Sequence, residues 1–523
     1  MSGINPSGMY RMSGLASGMD IDSIVSDLMK AHRMPLDKVE QEKQIWQWRQ
    51  EDYRALNTGL LSLKNEVFNL KLQGTFLSKK VDSSSSAVSA AAGPNALNGS
   101  HTVEVTSLAR RALIASNSAV NTSGVYTRPL SEMLEGLVPG ADGKITLQLG
   151  DGTSTQEFTL NPDTQSLNDL ILQINSSSLN LKASWDDNLK RFYLTSTKLG
   201  EKNVVSYTDK SGNLMATLFN NGTNSLTITG TDAQVKIDGI DYSFDSNQVK
   251  VNDVTYNLKG TTTGSVNITI SDDIDAVVNT IKNFISNYND TLAALNGKLN
   301  EQRYSDYRPL TDEQISSGQL TDKQIDKWQE KARSGLLKSD LLLERAATSM
   351  RTALSSRIDG LTGQVTITNG SQQITTAANH LSVIGITTGS YQEKGKLYLD
   401  ENRLKEALRS NPQAVMDLFT RSKDASGNDI TDSSEQGLAV QLYNALNSAM
   451  SLVTDKAGSA SSLYDNSFIS EKVRGIESSI SKMGARLQAL EARYYRQFTA
   501  MEQAISRMNS QSMWLAQQFS GNS

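Results

Sequence analysis

Cysteine is absent from this 523-residue chain. That excludes disulfides, a thiolate nucleophile and any cysteine-based zinc site. It suits a cytosolic protein, and equally an exported one that must stay unfolded without forming stray disulfides. Histidine is nearly as scarce. His32, His101 and His380 lie too far apart in pattern to suggest a metal cluster. Phosphate-cradling, dinucleotide-binding, zinc-protease and serine-hydrolase motifs (GxxxxGKS/T, GxGxxG, HExxH, GxSxG) do not occur. Proline numbers only 8, where average usage of about 5% would give roughly 26. The last is Pro412, so residues 413–523 can run helical without a break. No apolar run reaches the length of about 18 residues that a membrane helix needs. The opening MSGINPSGMYRMSGLASGMD has no compact apolar core and does not read as a cleavable secretory signal. The net charge of −5 does not describe a nucleic-acid binder, for which a basic face would be expected.

What is present is a change of period along the chain. From Ile469, apolar residues recur at Val473, Ile476, Ile480, Met483, Leu487, Leu490, Tyr494, Phe498, Met501, Ile505, Met508, Leu515 and Phe519. Steps of four and three alternate, with one extra four between Tyr494 and Phe498 and a polar gap at Ser512. This is a heptad seam with a stutter. A helix over 468–519 would be roughly 75 Å long and could not bury that seam against itself.

The N-terminal end offers a partner. Ile21, Ile24, Val25, Leu28 and Met29 share one helical face, with Asp20 or Asp22 as cap. Pro35 is expected to interrupt this helix. A second one then carries Val39, Trp46, Tyr53, Leu60 and Val67 seven apart, joined by Leu56, Leu63 and Leu70. Pairing of the two chain ends is the economical reading; an ordinary bundle core is the alternative.

Between about 81 and 272 the period is two. Val103/Val105, Ile145/Leu147/Leu149, Phe192/Leu194, Val235/Ile237 and Val266/Ile268/Ile270 alternate with polar residues. Asp142-Gly143, Asp151-Gly152, Asn221-Gly222 and Asp238-Gly239 mark turns. One helix is expected around Leu167, Leu170, Ile171 and Ile174. Helix returns at Ile274, Val277, Val278, Ile281, Ile285 and Tyr288. Thr311 with Gln314, and Thr321 with Gln324, fit capping boxes. Short β pieces at Val365 and Gly395 precede helices near Leu404 and Val440. One loop tests as a calcium site. Asp424, Ser426, Asn428, Asp432 and Glu435 fall at EF-hand positions, but Asp429 stands where the sharp turn calls for glycine. A polar interhelical loop is the reading preferred. Together these features describe an assembly protein rather than an enzyme, with no cofactor and no metal.

Seven segments in order resemble the bacterial flagellar filament cap family, the hook-associated protein two family. They include SGLASGMDIDSIVSDLM (13–29), HTVEVTSLARRALIAS (101–116), AQVKIDGIDYSFDSNQV (233–249), NPQAVMDLFT (411–420) and FTAMEQAISRMNSQSMWLAQQFS (498–520). The segment from Ser166 to Gly200 resembles a small module shared among flagellin-like proteins. The stretch from Asn121 to Pro139 matches nothing that can be placed.

The resemblance implies an α+β multidomain fold. Terminal coiled-coil legs would be residues 1–34 and 490–523. A helical domain would be 35–80 and 273–489, with a small β element. An inner β-rich head domain would be 81–120 and 231–272, and an outer one 121–230. It also implies a secreted protein at the flagellum tip, exported without a cleaved signal peptide. There a homo-oligomeric ring, a pentamer with tetramer or hexamer as alternatives, promotes folding and insertion of flagellin. The implied partners are flagellin, the hook-filament junction protein and a cytoplasmic export chaperone at the C-terminal helix, with no nucleic acid and no membrane. The oligomer- or flagellin-contacting seam would be Ile21, Ile24, Leu28, Leu487, Leu490, Phe498, Met501, Ile505, Met508, Leu515 and Phe519. Two alternatives stand beside this: a sibling axial protein (flagellin or a hook-filament junction protein), and a surface adhesin whose head binds host glycan. Gly18-Met19-Asp20-Ile21-Asp22 suits the cap better than the Asn/Ala/Leu-rich helix that usually opens the siblings.

Overall fold

The computed structural model describes residues 18–123, 125–459 and 464–520. The chain folds as two units. One comprises both chain ends, through Phe76 and from Val278 onward; the other runs from Leu77 to Val277.

The first unit is helical. Its frame is an N-terminal helix, Ile21–Lys71, and a C-terminal helix, Phe468–Ser520. Helices Leu341–Ser355 and Leu438–Ala457 pack with them, as do Pro412–Thr420 and the part of Ile274–Asn300 from Val278 onward. The heptad residues Tyr53, Leu56, Leu60, Leu63, Val67 and Leu70 are all buried in this bundle. The expected capping box at Thr311/Gln314 forms in full, and at Thr321 the Gln324 side chain accepts from the Thr321 amide at 2.9 Å. The two β pieces become small hairpins. Gln364–Asn369 pairs with Gln372–Ala377, and Ile386–Thr388 with Leu397–Leu399.

Pro35 does not interrupt the N-terminal helix as expected; it sits inside one continuous helix. Proline removes a single backbone donor, so the penalty is local. Buried Val25 and Leu36 flank it and hold the helix to its neighbours on both sides of the missing bond.

Bundle packing also traps charge. Asp52 is buried, and its carboxylate accepts from Lys298 Nζ at 3.0 Å and from Arg333 Nη2 at 2.9 Å. Tyr53 donates its hydroxyl to Asp340 Oδ2 at 2.5 Å. The other oxygen of Asp340 caps Leu341–Ser355 through the amides of Leu342 and Leu343. Burial, then this bond to Asp340, pushes the Tyr53 phenol up.

The second unit is built on antiparallel strands. A five-stranded sheet runs in the order Lys79–Ser83, Val266–Asp272, Gly99–Ser107, Ala233–Ile237, Ile240–Phe244. Ile237 and Ile240 close the last hairpin through Asp238 and Gly239, both at positive φ, the two-residue turn that Asp-Gly favours. Two apolar cores form. One gathers Val88, Val103, Val105, Val235, Tyr256 and Ile268, from the two ends of the unit. The other lies within 112–219 and gathers Ile145, Leu147, Leu170, Phe192, Leu194 and Phe219. The chain crosses between them at Arg110 and Thr231, which exchange backbone bonds of 2.8 and 3.1 Å. The unplaced stretch after Asn121 contributes Leu130, Met133 and Leu134 to the second core.

Asp151 fastens this second core. Its buried carboxylate accepts from the amides of Thr153 and Ser154, the Thr153 hydroxyl, and both the amide and side chain of Asn180, at 2.7–3.0 Å. Burial opposes its charge, but these donors hold the carboxyl well below the usual range. Removing it orphans five donors. In the isolated fragment 77–277, expected to give a strand-dominated circular dichroism spectrum, Asp151→Ala should lower stability by about 2–4 kcal/mol. Denaturant titration of the two fragments checks this.

Candidate functional site: the seam between the terminal helices

Asp20 starts the N-terminal helix by accepting from the Ser23 amide at 3.1 Å. From there the helix runs antiparallel to the C-terminal one. Tyr495 donates to Asp22 at 3.0 Å, and His32 meets the Tyr494 hydroxyl at 3.0 Å. Further in, Lys43 pairs with Glu477 at 2.8 Å, and Trp46 packs edge-on against Phe468.

The inner end of the seam is clasped. Asp465 accepts from Arg54 at 2.6 Å and from Ser470 at 2.5 Å, while Gln50 donates to Ser470 at 2.7 Å and to the Ala457 carbonyl at 3.0 Å. Burial disfavours the Asp465 charge, but bonds from Ser470 and Ser467 and the Arg54 guanidinium hold its carboxyl below the usual range. Periodicity alone did not single out these polar residues. The available signal was Gln50 and Arg54, four apart beside the heptad positions.

Outward from the clasp the seam is covered less and less. Ile469 and Ile476 are buried, whereas Met483, Leu487, Leu490, Phe498, Met501 and Ile505 are half-buried. Met508 is 63% exposed and Leu515 47% exposed, with Met513 and Trp514 exposed beside them. On the facing helix Ile21 is buried, Ile24 half-buried and Leu28 39% exposed. The side chain of Phe519 lies outside the described residues. The gradient follows from length. Asp22 stands opposite Tyr495, so the C-terminal helix continues roughly 35 Å past the first turn of its partner. Glu502, outside the apolar pattern, is also buried here.

In the loop from Asp424 to Glu435 two carboxylates cap their own turns. Asp424 Oδ1 accepts from the amides of Ser426 and Asn428, each at 2.9 Å, and Asp432 accepts from the Ser434 amide. Lys423 and Asp429 pair across the turn. Asp424 and Asp432 are thus turned into their own backbone, while Glu435 pairs with Arg421 at 3.9 Å. Adding calcium, or a chelator, should leave the melting temperature unchanged; a rise abolished in Asp424→Ala would contradict this geometry. The three histidines bond separately, to Tyr494, Asp238 and Ser382. Among the described residues no three or more His, Asp and Glu side chains gather as a metal ion would need, and no helix is long and apolar enough to cross a membrane.

Comparison with known proteins bears on the whole chain. The family model for the N-terminus of flagellar hook-associated protein 2 matches residues 17–112, and that for its C-terminus matches 230–510. The stretch between the two matches is the one that folds around the second core. Flagellar hook-associated protein 2 of Halalkalibacterium halodurans is 29% identical over 97% of this chain and 99% of its own length. The protein of that name from Escherichia coli K12 is 25% identical over 98% of each. Among solved structures, the D1-D2-D3 domains of the flagellar cap protein FliD from Escherichia coli match with a TM-score of 0.54 at 18% identity. That match covers 82% of this chain and 99% of the other, a likeness of fold.

Proposed function

The chain belongs to the flagellar hook-associated protein 2 family, and on that premise we propose that it caps the flagellar filament, promoting folding and insertion of exported flagellin. The family is one of structural flagellar proteins, whose members form oligomeric rings at the filament tip. The observation that carries the proposal is the uneven seam. It is clasped at Asp465 and Ile469 and exposed at Met508 and Leu515. Apolar surface left exposed along a helix marks an interaction site. In this reading Leu28, Met508 and Leu515 meet neighbouring subunits or flagellin, while Ile21, Ile24, Leu487, Leu490, Phe498, Met501 and Ile505 hold the legs together. An incoming flagellin subunit displaces a leg from its groove, and the cap steps onward.

The finer assignments belong to the same proposal. The ring is a pentamer, the hook-filament junction protein is a neighbour, and an export chaperone covers the C-terminal helix before secretion without a cleaved signal. The legs comprise 1–34 and 490–523, and the head has an inner and an outer domain. The crossing at Arg110 and Thr231 supports a division there rather than after residue 120.

The test is complementation of a flagellated strain lacking its own cap gene. Restored filaments, with flagellin no longer spilling into the medium, support capping. Flagellin that still spills into the medium while the strain gains adhesion would favour the adhesin reading instead.

A further inference from the structure

Two grooves flank the outer seam, and their charges differ. One sets Lys30 and Arg33 against Glu313 and Glu491. The other, about 660 Å³, has no carboxylate in its lining. Its floor is Leu36, Met483, Leu487 and Leu490, and along it stand Arg486, Arg493 and Arg496. Elsewhere on the same helix charges find partners, as in Lys43–Glu477 and Lys472–Glu42. The three arginines are exposed and make no ion pair among the described residues. Residues 1–17, 124, 460–463 and 521–523, which are not described, contain no Asp or Glu. No side chain there can supply the missing carboxylates.

The spacing has a meaning. Steps of seven and three place the arginines in one stripe beside the apolar seam, spanning about 15 Å. In coiled coils, charges flanking the apolar positions choose the partner helix. Each guanidinium presents a fork matched to a carboxylate. A concave apolar floor between two helices accepts the ridge of a third helix; a flat anionic membrane would reach the arginines but not the floor.

We propose that this groove receives an acidic amphipathic helix from a partner protein. Its apolar residues seat on Leu487 and Leu490, and carboxylates at heptad spacing pair with Arg486, Arg493 and Arg496. The proposal rests on the assembly reading and names the chemistry of one partner.

The test uses the full chain and three probes: a synthetic helix of about three heptads with Leu at the seam and Glu flanking it, the same helix with Lys for Glu, and phosphatidylglycerol vesicles. The Glu helix should bind, more weakly at high salt. Combined Arg486→Glu, Arg493→Glu and Arg496→Glu should weaken it at least about tenfold and confer binding of the Lys helix. If that variant melts early, the Arg→Gln triple variant should still weaken binding of the Glu helix, without conferring binding of the Lys helix. Equal binding of both helices, no binding of either, unchanged binding after substitution, or binding of vesicles alone would each overturn the proposal. Capping is scored in the complementation assay, so failure of the peptide result leaves that reading standing.

Discussion

Asp52→Ala should destabilise the helical unit by about 3 kcal/mol, the lower end of what breaking a buried ion pair costs. Asp52 is buried on the N-terminal helix and joins it to Lys298 and Arg333. Without it, both cations lose their closest partner. The loss stays at the lower end because Lys298 keeps Glu301 within 3.7 Å and Arg333 keeps Glu51 within 3.1 Å. Asp52→Asn preserves shape but not charge, so it should recover only part of the loss. Chemical denaturation followed by far-ultraviolet circular dichroism measures both. A double-mutant cycle with Arg333→Ala separates the pair from its surroundings. Loss below about 1 kcal/mol would mean that the cluster behaves as an exposed surface pair.

The second large effect is functional. Deleting 490–523 removes the exposed seam but spares the clasp at Asp465, Arg54 and Gln50. Ile469 and Ile476 stay buried against the bundle. The truncated chain should therefore remain soluble and folded, with the 77–277 unit melting as before. Capping should be abolished, read as flagellin spilling into the medium of the complemented strain. A truncated chain that still caps filaments would place the interaction elsewhere.

Much of this was legible in the sequence because it is periodic. The strands at Val103, Ile145, Phe192 and Val266 follow from alternation, and the length of the C-terminal helix from its heptads. Pro35 misled because local propensity was outweighed by packing on both sides of it. The Asn121–Pro139 stretch was opaque because it has little regular structure; Leu130 and Met133 enter the core from a single short turn. The clasp was hidden for another reason. Arg54 and Asp465 are more than 400 residues apart, and a lone polar pair leaves no period to read. Seam positions were visible, but how far each is covered depends on where the facing helix begins.

In the proposed mechanism the outer seam is exposed in the free subunit and covered on assembly. Isolated helices are marginal in water, and their stability comes from packing an apolar face. Each large apolar side chain that becomes fully buried contributes about 1.5–3 kcal/mol, so covering Met508, Met513, Trp514 and Leu515 should change the local stability markedly. Limited proteolysis of the free protein beside the assembled ring measures this directly. Cleavage between 490 and 517 should be rapid in the free subunit and suppressed in the ring. Equal resistance in both states would mean that the legs are already packed in the monomer, and the displacement mechanism would lose its basis.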